Sequence, residues 1–170
     1  MSPRSRPTIR VLAIDPSSVG FGFAVLEEPT RLVDWGVAEV WSPTPRAFLA
    51  RVEALVDRYH PRLVVLENVD KKRTRKRTTS RIAAVKRYAA NRRIAVVNVS
   101  RNQVRATFGE RSTKHDIAVA IAEVFPELVP RLPRKRKLWT SEDERMNIFD
   151  ALSFVLTALA GMPEVDADVA

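Results

Sequence analysis

Two hydrophobic periods alternate along this chain, and their order restricts it to a sheet covered by helices. Ile9–Asp15 is an apolar run that reads as a buried strand ending on an acid. Pro16-Ser17-Ser18 forms a turn, Gly20–Glu27 (GFGFAVLE) reads as a second strand and Arg31–Val40 as a third, together a meander. From Pro45 the period changes: Phe48, Leu49, Val52, Leu55 and Val56 fall on one stripe, an amphipathic helix running to Tyr59. Arg62–Leu66 is a short apolar strand ended by Glu67, Thr78–Asn91 is a helix, Ile94–Val99 a strand, and Ser112–Phe125 a helix with Ile117, Ala120, Ile121 and Val124 on one face. Pro126–Thr140 reads as a Pro-rich basic loop, and Ser141 as the N-cap of a last helix that carries acids in its first turn and reaches about Ala160. Strands joined through helices run parallel. The expectation is an α/β fold: a mixed five-stranded sheet, an antiparallel three-strand meander plus parallel strands, with helices on both faces.

No repeat or linker divides the chain, and 170 residues suffice for one full core. The expected organisation is a basic disordered arm at 1–8, a single domain at 9–162 and a flexible acidic tail at 163–170. The absence of cysteine excludes a disulfide framework and a thiolate metal site. No apolar run is long enough for a membrane span, and Val11–Ile14 is too short for the apolar core of a signal peptide. A cytoplasmic protein without a membrane partner is expected.

Three carboxylates interrupt apolar sequence. Asp15 and Glu67 each end an apolar strand, and Asp150 is the only charged residue between Ile148 and Pro163. A buried carboxylate must protonate, pair with a cation or bind a metal. Oxygen ligands suit Mg²⁺, or Mn²⁺ in its place, and a pair of such ions can activate water and stabilise the leaving oxygen of a phosphodiester. Each acid also has an ordinary use: a turn former at Asp15, a strand-end ion pair at Glu67, a backbone-bonded acid at Asp150. A fourth ligand comes from Asp143, seven residues before Asp150 on one helical face, or from Asn147, three before it. Acids in a first turn also simply suit the helix dipole.

The formal net charge is +9, which favours polyanionic partners. The charge is clustered: Lys71, Lys72, Arg73, Arg75, Lys76 and Arg77 fill six of seven positions in KKRTRKR, and RLPRKRK at 131–137 includes Arg134, Lys135, Arg136 and Lys137. Trp35 and Trp41 read as sheet packing, while Trp139 borders the basic loop and is a candidate base contact. His60 and His115, the only histidines, fit surface or capping roles, and no nucleophile elbow is present.

With these residues in view, the chain resembles the RuvC-type crossover-junction endonucleases, the Holliday-junction resolvases of the RNase H-like superfamily. VLAIDPSSVGFGFAV (Val11–Val25) looks like their opening strand, acid and hairpin, and LVVLENV (Leu63–Val69) like their second acidic strand. NQVRATFGERSTKHDIAVAI (Asn102–Ile121) is similar to their basic segment and helix, and NIFDALSFVLTAL (Asn147–Leu159) to their terminal acidic helix. The resemblance implies catalytic acids at Asp15, Glu67 and Asp150, a fourth ligand at Asn147, phosphate contacts at Arg105 and Lys114, two Mg²⁺ ions and branched DNA as partner. The chain departs from the family in four places. Asn147 stands where the family usually has an acid or histidine, and Arg105 where it commonly has lysine. The segment after Glu67 lacks the family's stacking aromatic, and the helix at 78–91 lacks the glycine-containing pattern of its dimer-forming helix, so a homodimer stays open. Three other readings stay open too: a nucleic-acid-binding relic without catalysis, a nuclease of the same fold acting on another substrate such as an RNA–DNA hybrid, and the actin-like ATPase fold. The last lacks its second domain and its glycine-rich phosphate loops here.

Overall fold

The computed structural model describes residues 9–27, 31–70, 72 and 75–162. The arm at 1–8 and the tail at 163–170 lie outside them. The meander is β1 (Arg10–Pro16), β2 (Gly20–Glu27) and β3 (Arg31–Glu39). It is followed by α1 (Pro45–Tyr59), β4 (Leu63–Glu67), α2 (Lys76–Asn91) and β5 (Ala95–Val99). Then come α3 (Arg101–Phe108), α4 (Lys114–Val124), a 3-10 turn at Pro126–Arg131, and α5 (Met146–Ala160). The strands lie in the order β3-β2-β1-β4-β5. β1 pairs with β2, and β2 with β3, antiparallel; β4 joins β1, and β5 joins β4, parallel. This is the mixed five-stranded sheet expected from the sequence.

Side chains of a strand alternate between faces, and β1 sorts two cores accordingly. Leu12 and Ile14 pack with Phe48, Val52 and Val56 of α1 and with Ile82 and Val85 of α2. Val11 and Ala13 pack on the other face with Ile117 and Ile121 of α4 and with Phe149, Leu152 and Val155 of α5. α5 is apolar almost all round because it is covered almost all round, with Met146 through Val155 buried except Asn147. Local chemistry sets the ends of α1: the Thr44 hydroxyl accepts from the Ala47 N–H, Pro45 takes the first turn, and His60 caps the far end at φ 47°.

One glycine is required where α5 meets the sheet. Gly22 pairs with Asp15 in the β1–β2 ladder. A Cβ at Gly22 would lie 2.3 Å from the backbone carbonyl of Asn147. The first turn of α5 therefore rests directly on β2 beside Asp15, an approach that any side chain would prevent.

Three expectations are corrected. A short helix, α3, follows β5; only Val104 of it is buried, so it carries no hydrophobic stripe. The last helix starts at Met146 rather than Ser141. The Asp143 carboxylate accepts from the backbone N–H and guanidinium of Arg145, closing a local turn where a helix start was expected. Trp35 is part-buried against the α5-side core, but Trp41 lies beyond the end of β3 and is 83% exposed, so it does not pack on the sheet.

Candidate active site

Asp15 and Glu67 stand at one end of the sheet, at the C-terminal ends of two interior strands that are parallel neighbours, with Ile14 opposite Leu66. Asp150 comes to the same place on α5, one turn beyond the residue that rests on Gly22. Asp15 and Asp150 are buried, and Glu67 is part-exposed.

Two cations complete the cluster. Arg101 is the first residue of α3, fixed by a capping box between Ser100 and Gln103. Its Nε donates to Glu67 Oε1 at 2.8 Å, its Nη1 donates to Asp150 Oδ1 at 2.7 Å, and its Nη2 lies 3.9 Å from Asp15 Oδ1. Lys114, the first residue of α4, is fixed by a second capping box between Thr113 and Asp116. Its Nζ donates to Asp150 Oδ2 at 2.9 Å and to Glu142 Oε1 at 2.8 Å.

The electrostatics follow from this packing. Burial, and then the charge of Asp150, push the Asp15 carboxyl well above the ordinary carboxylate range, against the lowering influence of Arg101 and Lys114. Burial disfavours charge on Arg101, but Asp150 and Glu67 outweigh it and raise its pKa above the usual arginine value. Burial likewise opposes charge on Lys114, and Asp150 and Glu142 overcome it.

The structure distributes the remaining candidates unevenly. Asn147 sits one turn before Asp150 on α5. Asp143 lies off the helix, so the seven-residue spacing that aligned it with Asp150 does not apply, and its carboxylate is held by Arg145. Arg105 is exposed in the last turn of α3, four residues beyond Arg101. Lys72, Arg75, Lys76 and Arg77 are exposed between Glu67 and the first turn of α2, whereas Lys71 and Arg73 lie outside the described residues. Arg134, Lys135, Arg136 and Lys137 are all exposed, and the Lys137 ammonium lies 5.8 Å from the Trp139 ring centre.

Two arginines matter that the sequence reading did not single out for the site. Arg101 had one local signal: Ser100-x-x-Gln103 marks a helix start, with Arg101 as its first residue. Arg81 lies in a helix rich in basic residues but is wholly buried. Its Nη1 donates to the Ser17 carbonyl at 2.6 Å, tying α2 to the turn that follows Asp15.

The donors suit a hard divalent cation by type, since all three acids offer carboxylate oxygens. Among the described residues no three acids or histidines are grouped closely enough to enclose an ion as they stand. Arg101 lies against all three acids instead. The site therefore offers carboxylate oxygens held together by resident cations.

No family model and no curated protein matches the sequence. Solved structures do match in fold. RuvC of T. thermophilus in complex with a Holliday junction substrate superposes with a TM-score of 0.65 at 20% identity, over 89% of this chain and 93% of that one. The fowlpox virus resolvase, in complex with its substrate Holliday junction DNA, gives 0.56 at 16% identity, over 89% and 99%. The yeast mitochondrial Holliday junction resolvase gives 0.54 at 14%, over 92% and 82%. The chain has the RuvC-type RNase H-like fold.

Proposed function

We propose that the chain is a divalent-metal-dependent, structure-selective DNA endonuclease that hydrolyses phosphodiester bonds in Holliday junctions or related branched DNA. The convergence of Asp15, Glu67 and Asp150 on Arg101 at one end of the sheet carries this reading. It is supported by the likeness in fold to resolvases, two of them bound to junction DNA. In this reading Asp15, Glu67 and Asp150 would hold the Mg²⁺ or Mn²⁺ ions through their carboxylate oxygens. Bound ions would activate the attacking water and stabilise the leaving oxygen. Asn147 adds a neutral amide oxygen from the neighbouring turn, a position Asp143 does not share. Lys114 keeps positive charge beside Asp150, where a scissile phosphate would approach.

The exposed cations at 72, 75–77, 105 and 134–137 contact the sugar-phosphate backbone, which positions DNA without reading its sequence. Leu138 and Trp139, 94% and 81% exposed beside those cations, offer an apolar platform to an unstacked base at a branch point. Two symmetric nicks need two such sites, so junction resolution carries a homodimer with it.

Labelled four-way junction, flap, linear duplex and RNA–DNA hybrid, each incubated in Mg²⁺ and in Mn²⁺, separate the substrates. Paired nicks in the junction are the expected result. Preferential cutting of the hybrid would move the activity to RNA. A binding protein without catalysis is the second reading, favoured by the uncharged Asn147. It predicts tight binding to all four substrates and cutting of none.

A further inference from the structure

Arg101 is seated as a ligand would be. A guanidinium presents its N–H donors in one rigid plane, and here its three nitrogens face three different carboxylates. Nε meets Glu67 and Nη1 meets Asp150 at hydrogen-bond distance, and Nη2 faces Asp15. Beneath it lies the wholly buried ring of Phe154, one turn past Asp150 on α5, with the guanidinium carbon 4.8 Å from the ring centre. The capping box at Ser100 fixes the backbone from which the side chain extends.

Arg101 also holds oxygens that an ion would need. Both carboxylate oxygens of Asp150 are engaged, Oδ1 by Arg101 and Oδ2 by Lys114. Glu67 offers Oε1 to Arg101 as well. Lys114 touches only one of the three strand-end and helix acids, whereas Arg101 spans all of them. Asp15, Glu67, Asp150 and Glu142 set four negative charges against the two resident cations. One divalent ion balances the remainder, and a second would leave excess positive charge that withdrawal of Arg101 lessens. The Arg101 side chain is 33% exposed, so it has a way out toward solvent and toward a bound phosphate.

Resting on the reading of these acids as a divalent-ion site, we propose that Arg101 is a built-in counter-cation that holds Asp15, Glu67 and Asp150 together before the ions arrive and competes with them for the same oxygens. A DNA phosphate offers the guanidinium an alternative bidentate partner. DNA binding therefore draws Arg101 off the acids and raises the affinity for the divalent ion, and ion binding raises the affinity for DNA by the same factor.

The test is direct binding of Mn²⁺, followed by the loss of the free-ion electron paramagnetic resonance signal, without reference to cleavage. Wild type, Arg101→Gln and Arg101→Lys are titrated with and without a short DNA duplex, after circular dichroism has established that each is folded. Arg101→Gln is expected to bind the ion about tenfold more tightly than wild type without DNA, and to gain little when DNA is added. Arg101→Lys, which keeps the charge but loses the fork, is expected to fall between them, and it carries the test alone if the glutamine variant does not fold. Adding Asp15→Asn to either variant is expected to abolish the gain. Equal or weaker ion binding by the folded variants would overturn the proposal and leave the nuclease reading standing. No ion binding by any of the proteins, with or without DNA, would overturn both.

Discussion

Two arginines lie over phenylalanine rings on opposite faces of the same sheet, and their surroundings could hardly differ more. Arg81 of α2 stands 4.8 Å over Phe48, and Arg101 of α3 stands 4.8 Å over Phe154. Arg101 faces three carboxylates, and they raise its pKa despite burial. Arg81 makes one hydrogen bond, to a backbone carbonyl, and its Nε and Nη2 have no partner. Burial, and then the charge of Arg77, lower its pKa from the ordinary arginine value. On one face the arginine answers an excess of negative charge. On the other it fastens a turn, and among the described residues no acid forms an ion pair with it. An aromatic floor is common to both arginines, so the acids are what set Arg101 apart.

Replacing each arginine by methionine sharpens that contrast. Arg101→Met leaves Asp15, Glu67 and Asp150 facing one another, and in EDTA it is expected to destabilise the fold by about 2 kcal/mol, below the full cost of a broken buried pair because Arg101 is a third exposed. Arg81→Met removes an incompletely paired buried charge and is expected to stabilise by about 1 kcal/mol. Chemical denaturation measures both, and two changes of the same sign would break the comparison.

A smaller loss is expected from Gly22→Ala. Its methyl meets the Asn147 backbone rather than a flexible side chain, so α5 must shift, at about 1–2 kcal/mol. Because that shift carries Asp150 away from Asp15, nuclease activity is expected to fall more steeply than the melting temperature. Activity that merely tracks the folded fraction would show that the contact serves packing alone.

The smallest effect concerns the cap that places Lys114. Thr113 donates to Asp116 from its N–H and hydroxyl, and these bonds lower the Asp116 pKa below the ordinary carboxylate value. A depressed folded pKa contributes stability above the unfolded value, and that contribution is lost as pH falls through the folded one. Thr113→Ala is expected to destabilise by about 1 kcal/mol at neutral pH and to flatten the acid limb of the stability curve. An acid limb unchanged from wild type would remove Asp116 from the account.

Much of this was legible from local pattern. β1 and β4 are apolar runs that end on acids, and an apolar run followed by a charge shows in a few consecutive residues. α5 was visible as an apolar helix with one acid, but its start was not. Ser141 has the look of a cap, but Asp143 closes a local turn with Arg145, and Glu142 is engaged by Lys114, a contact that depends on how the loop folds back. Arg101 and α3 escaped for a related reason. α3 buries one residue, and the importance of Arg101 depends on β5 lying parallel to β4, which is a tertiary pairing rather than a local one. Arg81 looks like its exposed basic neighbours, and only the packing of α2 distinguishes it.

The central claim is that Asp15, Glu67 and Asp150 act together as a divalent-ion nuclease site. Strand cleavage of a four-way junction by wild type, Asp15→Asn and Asp150→Asn, after removal of metal and again in Mg²⁺, tests it most directly. The account predicts cutting by wild type only in Mg²⁺, and a loss on the order of a thousandfold in each variant with junction binding retained. Equal cutting in EDTA, or variants that cut as wild type does, would contradict it.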